Sequence, residues 1–103
     1  MLFALNELAG VYKRTGQHGG KPVYADLAVA FRCRTQPISK QDAGANGYAG
    51  EADTRVFAPA DTDVSAGDRI LFSSSAGIVV EVHPRHGFSG KIHHLEVLTR
   101  REG

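Results

Sequence analysis

The 103-residue sequence has little of what chemistry or secretion would need: one cysteine, no tryptophan and a net charge of only +1. With Cys33 alone, no intramolecular disulfide can form, and a reducing cytoplasm suits the chain. No apolar run approaches the roughly 18 residues that mark a membrane span, so no membrane partner is expected. The opening MLFALNELAG is apolar but lacks a basic start and carries Glu7, so a secretory signal is not expected. Glycine-rich phosphate cradles and the G-x-S-x-G elbow are both missing, which removes the commonest signatures of nucleotide binding and serine hydrolysis.

What is present is a single domain's worth of hydrophobic sequence, 42% of residues, beside 22% charged ones. The small net charge hides a segregation. Residues 1–40 hold six Lys/Arg against two Asp/Glu, residues 41–68 one against six, and residues 69–103 five against three. The blocks therefore carry +4, −5 and +2. An overall basic nucleic-acid binder would not place its strongest block on the acidic side. Surfaces of opposite sign suit head-to-side packing between copies.

Alternation of period two dominates the pattern. The clearest expected strand is Tyr24–Thr35, with Leu27, Val29, Phe31 and Cys33 on one face and Asp26, Ala28, Ala30, Arg32 and Arg34 on the other. A basic strand is expected at Val11–Thr15, before a flexible turn region with Gly16, Gly19, Gly20 and Pro22. Further short strands follow at Thr54–Ala58, Arg69–Ser73, Ile78–His83 and Ile92–Thr99, with Ile78, Val80 and Val82 expected on one face. Val64–Asp68 and Ser74–Gly77 read as turns, and Pro84–Gly90 as a loop. Leu2, Leu5, Leu8 and Tyr12 stand at helical spacing, so residues 1–10 are expected as a docking arm or at most a short helical turn. The expected fold is all-β: a small antiparallel β-barrel of five to six strands. Between its strands, residues 39–53 (SKQDAGANGYAGEAD) have only Tyr48 as a large apolar side chain. They read as a long mobile loop, a length that usually carries function.

Catalytic and metal-binding constellations do not complete themselves. His83-x-x-His86 could begin a zinc site, but His93 and His94 are neighbours on an expected strand and should face opposite ways. Asp61, Asp63 and Asp68 resemble half a calcium loop without its glycine and glutamate, and fit turn hydrogen bonding better. Cys33 on an inward face is an inert thiol. Neither it nor Ser73–Ser75 has a recognisable base, so no enzyme activity, metal or cofactor is expected. Lys13, Arg14, Lys21, Arg32 and Arg34 make a small nucleic-acid-binding barrel the alternative reading. The outward face of Tyr24–Thr35 carries Ala28 and Ala30, however, where such barrels place stacking aromatics.

The order of features resembles the head-closure, or stopper, proteins of tailed bacteriophages, which join head to tail. The resemblance runs from about Val11 to Arg100. It rests on V-Y-K-R-T-G at 11–16, Pro22 with Y-A-D at 24–26, F-R-C-R at 31–34 and T-R-V-F-A-P-A-D-T-D-V at 54–64. G-D-R-I at 67–70, V-V-E-V at 79–82 and H-H-L-E-V at 93–97 complete it. What it implies is a homo-oligomeric ring in the virion neck, assembled in the host cytoplasm. Portal or adaptor proteins would lie on its head side and tail terminator or tail proteins on the other, with transient contact to the genomic double-stranded DNA. A phage, a prophage or a gene-transfer particle could supply that setting. The family's channel loop would correspond to residues 39–53, with Gln41, Asp42, Asn46, Tyr48, Glu51 and Asp53 facing the passage. Leu2, Phe3, Leu5, Arg32 and Arg34 would make contacts between copies or with docking partners. A tail protein of similar fold is a further alternative.

Overall fold

Among the described residues, six of eight strands close on themselves. The computed structural model describes residues 7–38, 52–73 and 75–102, and among them there is no helix. The strands are β1 (Glu7–Tyr12), β2 (Arg14–His18), β3 (Lys21–Tyr24), β4 (Val29–Pro37), β5 (Thr54–Pro59), β6 (Arg69–Leu71), β7 (Ala76–His86) and β8 (Ile92–Arg101). The barrel order is β1-β4-β5-β8-β7-β6, with β6 returning to β1, and every neighbouring pair is antiparallel. The all-β barrel expected from the pattern is therefore the fold. Closure leaves these strands without an open edge. Strands β2 and β3 form a separate two-stranded hairpin.

Inward side chains explain why these segments pair. Ala9 and Val11 of β1, Phe31 and Cys33 of β4, Val56 and Ala58 of β5, Ile70 of β6, Val79 of β7, and Leu95 and Val97 of β8 form one buried cluster. Val64, Phe72 and Val82 pack against it. Small residues among large ones let so narrow a barrel fill without strain. The outward face is buried in part as well, at Phe57, Glu96 and Leu98.

Several expected boundaries are corrected. Tyr24–Thr35 is not one strand: Tyr24 ends β3, Asp26 and Leu27 form a bend, and β4 begins at Val29. The Ala25 N–H donates to the Lys13 carbonyl (2.8 Å), which takes the chain away before it enters the barrel. Leu27 and Val29, expected inside, are 83% and 59% exposed. The turn region around Gly16–Pro22 is the β2–β3 hairpin, reversed at Gly19 and Gly20, whose φ angles of 59° and 80° suit glycine alone. Leu8 and Tyr12 lie on a strand and not a helix, so β1 takes Glu7–Gly10 from the expected arm. Ile78, Val80 and Val82 do not share a face, because a bulge between Val79 and Glu81 shifts the register against β8 and leaves Val79 and Val82 toward the core. The expected loop at Pro84–Gly90 is shortened, since β7 runs on to His86.

Candidate functional site

Chain direction sorts the connections onto two ends. At one end lie the start of β1, the exit of β4, the entry of β5, the β6–β7 turn and the end of β8. At the other lie the β1–β2 junction, residues 60–68 and the tip of the β7–β8 hairpin.

The first end carries the roots of the 39–53 segment. Ile38 N–H donates to the Asp53 carbonyl and Asp53 N–H to that of Thr99, both at 2.9 Å. The Asp53 carboxylate accepts from the Arg101 N–H (2.8 Å) and the Thr54 hydroxyl (2.8 Å). Asp53, expected to face a passage, is thus the foot of a clasp, its side chain used up by the barrel rim. The other expected channel residues, Gln41, Asp42, Asn46, Tyr48 and Glu51, lie outside the described residues. Beside the clasp, Glu7, Thr35, Pro37, Thr54 and Phe72 line a hollow of about 220 Å³. There the Thr35 hydroxyl donates to Glu7 (2.9 Å). Burial and the Glu7 charge push the Cys33 thiol up to about 11, so it stays protonated and unreactive at neutral pH.

The second end is braced by Asp68, which is buried. Its carboxylate accepts from the backbone N–H of Arg14 (3.0 Å) and of Ser65 (2.9 Å), and pairs with the Lys13 ammonium (2.7 Å). Lys13 also reaches Asp63 at 3.2 Å. Burial pulls the Lys13 pKa down, but the hydrogen bonds and charges of Asp68 and Asp63 outweigh it, and the net direction is upward. Asp68 therefore serves the turn, the role expected for it from sequence, whereas Asp63 is used in the ion pair with Lys13. Outside the barrel wall, Glu96 is held between Arg55 (3.0 Å) and Arg85 (2.9 Å).

Of the expected contact residues, Leu2, Phe3 and Leu5 lie outside the described residues. Arg32 is exposed on the outer face of β4, opposite Leu8 in register. Arg34 faces outward too but is half-buried, opposite Phe57. The structure does not bring these two arginines to the clasp. His93 and His94 do not diverge as neighbours on a regular strand should. Their rings meet edge to face with Nδ1 atoms 3.0 Å apart, beside a register shift at Arg85/His86. His83 lies by Glu81 at 3.3 Å. Among the described residues no three His, Cys, Asp or Glu side chains converge as a metal would require.

Pattern reading missed Phe88, wholly exposed at the apex of the β7–β8 hairpin with Ile92, 44% exposed, behind it. The signal was available: G-F-S-G places one large aromatic between glycines in a loop where polar residues are usual.

Comparison with solved structures finds a similar fold in the solution structure of protein SF1141 from Shigella flexneri 2a. The likeness has a TM-score of 0.64 at 17% identity and covers 95% of this chain and 93% of that one. No protein-family model and no curated protein sequence matches the chain.

Proposed function

We propose that this chain is a structural virion protein that forms a ring at the head–tail interface of a phage-like particle. In this reading it closes the DNA channel after packaging and offers a docking surface to the tail. Its work is mechanical and not catalytic. Portal or adaptor proteins meet the ring on one side and tail proteins on the other, and genomic DNA passes through it.

The observation that carries the reading is the clasp at Ile38 and Asp53. Ile38 and Asp53, which flank the thirteen residues 39–51 in sequence, are joined by a backbone hydrogen bond at the barrel rim. What happens in that segment need not disturb the core, which suits a part that has to close a passage and later clear it. Its composition of small residues with Asp42 and Glu51 resists sticking to a polyanion.

Removal of Ala43–Gly50 tests this, because the clasp keeps both ends in place and shortening such a loop costs the barrel little. Particles assembled with the shortened chain as their only copy should form heads and then lose DNA, read as unprotected genome after nuclease treatment. Full DNA retention would overturn the gate.

A further inference from the structure

The β7–β8 hairpin stays paired to His86↔Ile92, and its turn is tied by Gly87 N–H to the Lys91 carbonyl (2.9 Å) and Gly90 N–H to that of Gly87 (3.1 Å). Gly90, at φ 80°, permits the reversal. Phe88 is thus held out, fully exposed, on a hydrogen-bonded hairpin tip. Around it the chain is basic: Arg85, His86, Lys91 and His93 occur between Val82 and Leu95, and before Glu96 no carboxylate does. A phenyl ring left in water forgoes the burial that favours large apolar side chains.

The same end of the barrel offers a complement. A groove of about 350 Å³ lies between β4 and the residues after β5. Its floor is apolar (Val29, Phe31 and Pro59), and its rim carries Asp61 and Asp63 on one side with Arg32 on the other. Val29 is 59% exposed there. The groove matches the hairpin tip in three respects: an apolar floor for the ring, the Asp61 carboxylate for Lys91, and a guanidinium against which an aromatic face packs well.

We propose that Phe88 seats in the Val29–Pro59 groove of a neighbouring copy of this chain, joining copies head to side. Knob and groove are different surfaces, so the contact is heterologous and propagates until rotation closes it into a ring. The β7–β8 and β4–β5 seams stand two places apart in the six-strand order, so one copy can use both at once. The contact rests on the ring reading for its setting in the particle. A knob of this size falls short of the roughly 1,000 Å² that a stable interface needs, so free subunits associate weakly and closure supplies the rest.

Directed cross-linking of the full chain tests it. Ser89→Cys, beside Phe88 on the hairpin tip, and Ala30→Cys, in the groove lining, are mixed as single variants at high concentration under mild oxidation, with the parent, whose Cys33 is buried, as control. The mixed dimer should exceed either homodimer several-fold, and a chain carrying both substitutions should give a ladder beyond dimer. Lys91→Glu should suppress the mixed dimer, and Asp61→Lys on the groove copy should restore it. Dimers in the proportions of random collision, or dominated by Ser89→Cys pairs, would overturn the contact. Random cross-linking beside normal leakage from the loop-deleted particle would remove this interface and leave the proposed function standing. Directed cross-linking beside full DNA retention would do the reverse.

Discussion

Replacing Asp68 with alanine should be among the most damaging single changes in this barrel. The substitution leaves the Arg14 and Ser65 N–H groups, now 3.0 and 2.9 Å from carboxylate oxygens, without their acceptor, and removes the Lys13 partner at 2.7 Å. An orphaned donor costs about 1–3 kcal/mol, and the lower half applies because both donors are only part-buried. The Lys13 side chain is 31% exposed, so its ion pair adds at most about 1 kcal/mol after solvent screening. The sum is about 3 kcal/mol, a large share of the roughly 5–15 kcal/mol that holds a domain together. At about 4 °C per kcal/mol for a chain of this size, melting should fall by roughly 12 °C. Thermal unfolding followed by far-ultraviolet circular dichroism reads the shift. Urea titration with an unchanged m-value would show that the loss is one of native stability. Asp68→Asn keeps one acceptor oxygen and should lose roughly half as much. A melting point within about 3 °C of the parent for Asp68→Ala would refute the assignment of Asp68 as the brace of this end.

Gly10→Ala should destabilise the barrel by about 1–3 kcal/mol in urea titration, because neither methyl group can swing aside. The new Cβ would stand 2.9 Å from that of Ala28; an unchanged midpoint would show that the bend before β4 yields freely. His94 titrates below its ordinary 6.5 because burial disfavours the imidazolium, with the His93 and Arg85 charges adding to that and Glu96 opposing it. The unfolded imidazole therefore takes up a proton at higher pH than the folded one. Stability should drop as pH falls below about 6.5 and level off once the folded form is protonated too. His94→Gln should flatten that segment of the stability–pH curve, and an unchanged slope would assign the effect elsewhere.

The fold class was legible because period-two alternation is a direct imprint of a one-sided core. Phe31 and Cys33 on β4 point where the pattern puts them. Errors arise where a tertiary contact interrupts the period. Leu27 continues the alternation on paper, yet the hydrogen bond from Ala25 to Lys13 turns the chain out before that side chain can enter. Val80 breaks the face expected for β7 because a bulge adds one residue to that strand, and no local composition announces it. Asp53 was assigned to the 39–53 segment by its acidic, small-residue company, whereas its carboxylate is spent on Thr54 and on Arg101, 48 positions away. Partners at that distance cannot be read from neighbours in sequence. Phe88 was readable from the four residues G-F-S-G, but only as an exposed ring; the groove that fits it combines β4 with residues after β5.

The barrel's circumference is not uniformly strong. Strands β7 and β8 are in register over most of their length, whereas β1 meets β6 through only Gly10↔Leu71, Val11↔Ile70 and Tyr12↔Arg69. Arg69 helps to fasten that short seam, lying 5.9 Å from the centre of the Tyr12 ring and pairing with Glu102 at 2.8 Å. The β6–β7 seam has three pairs as well, but those strands are consecutive in the chain, whereas β1 and β6 lie far apart in it. Opening at β1–β6 would give a curled sheet with those two strands as raw borders, and the Arg69–Glu102 pair makes the residue just past β8 a party to keeping that border covered.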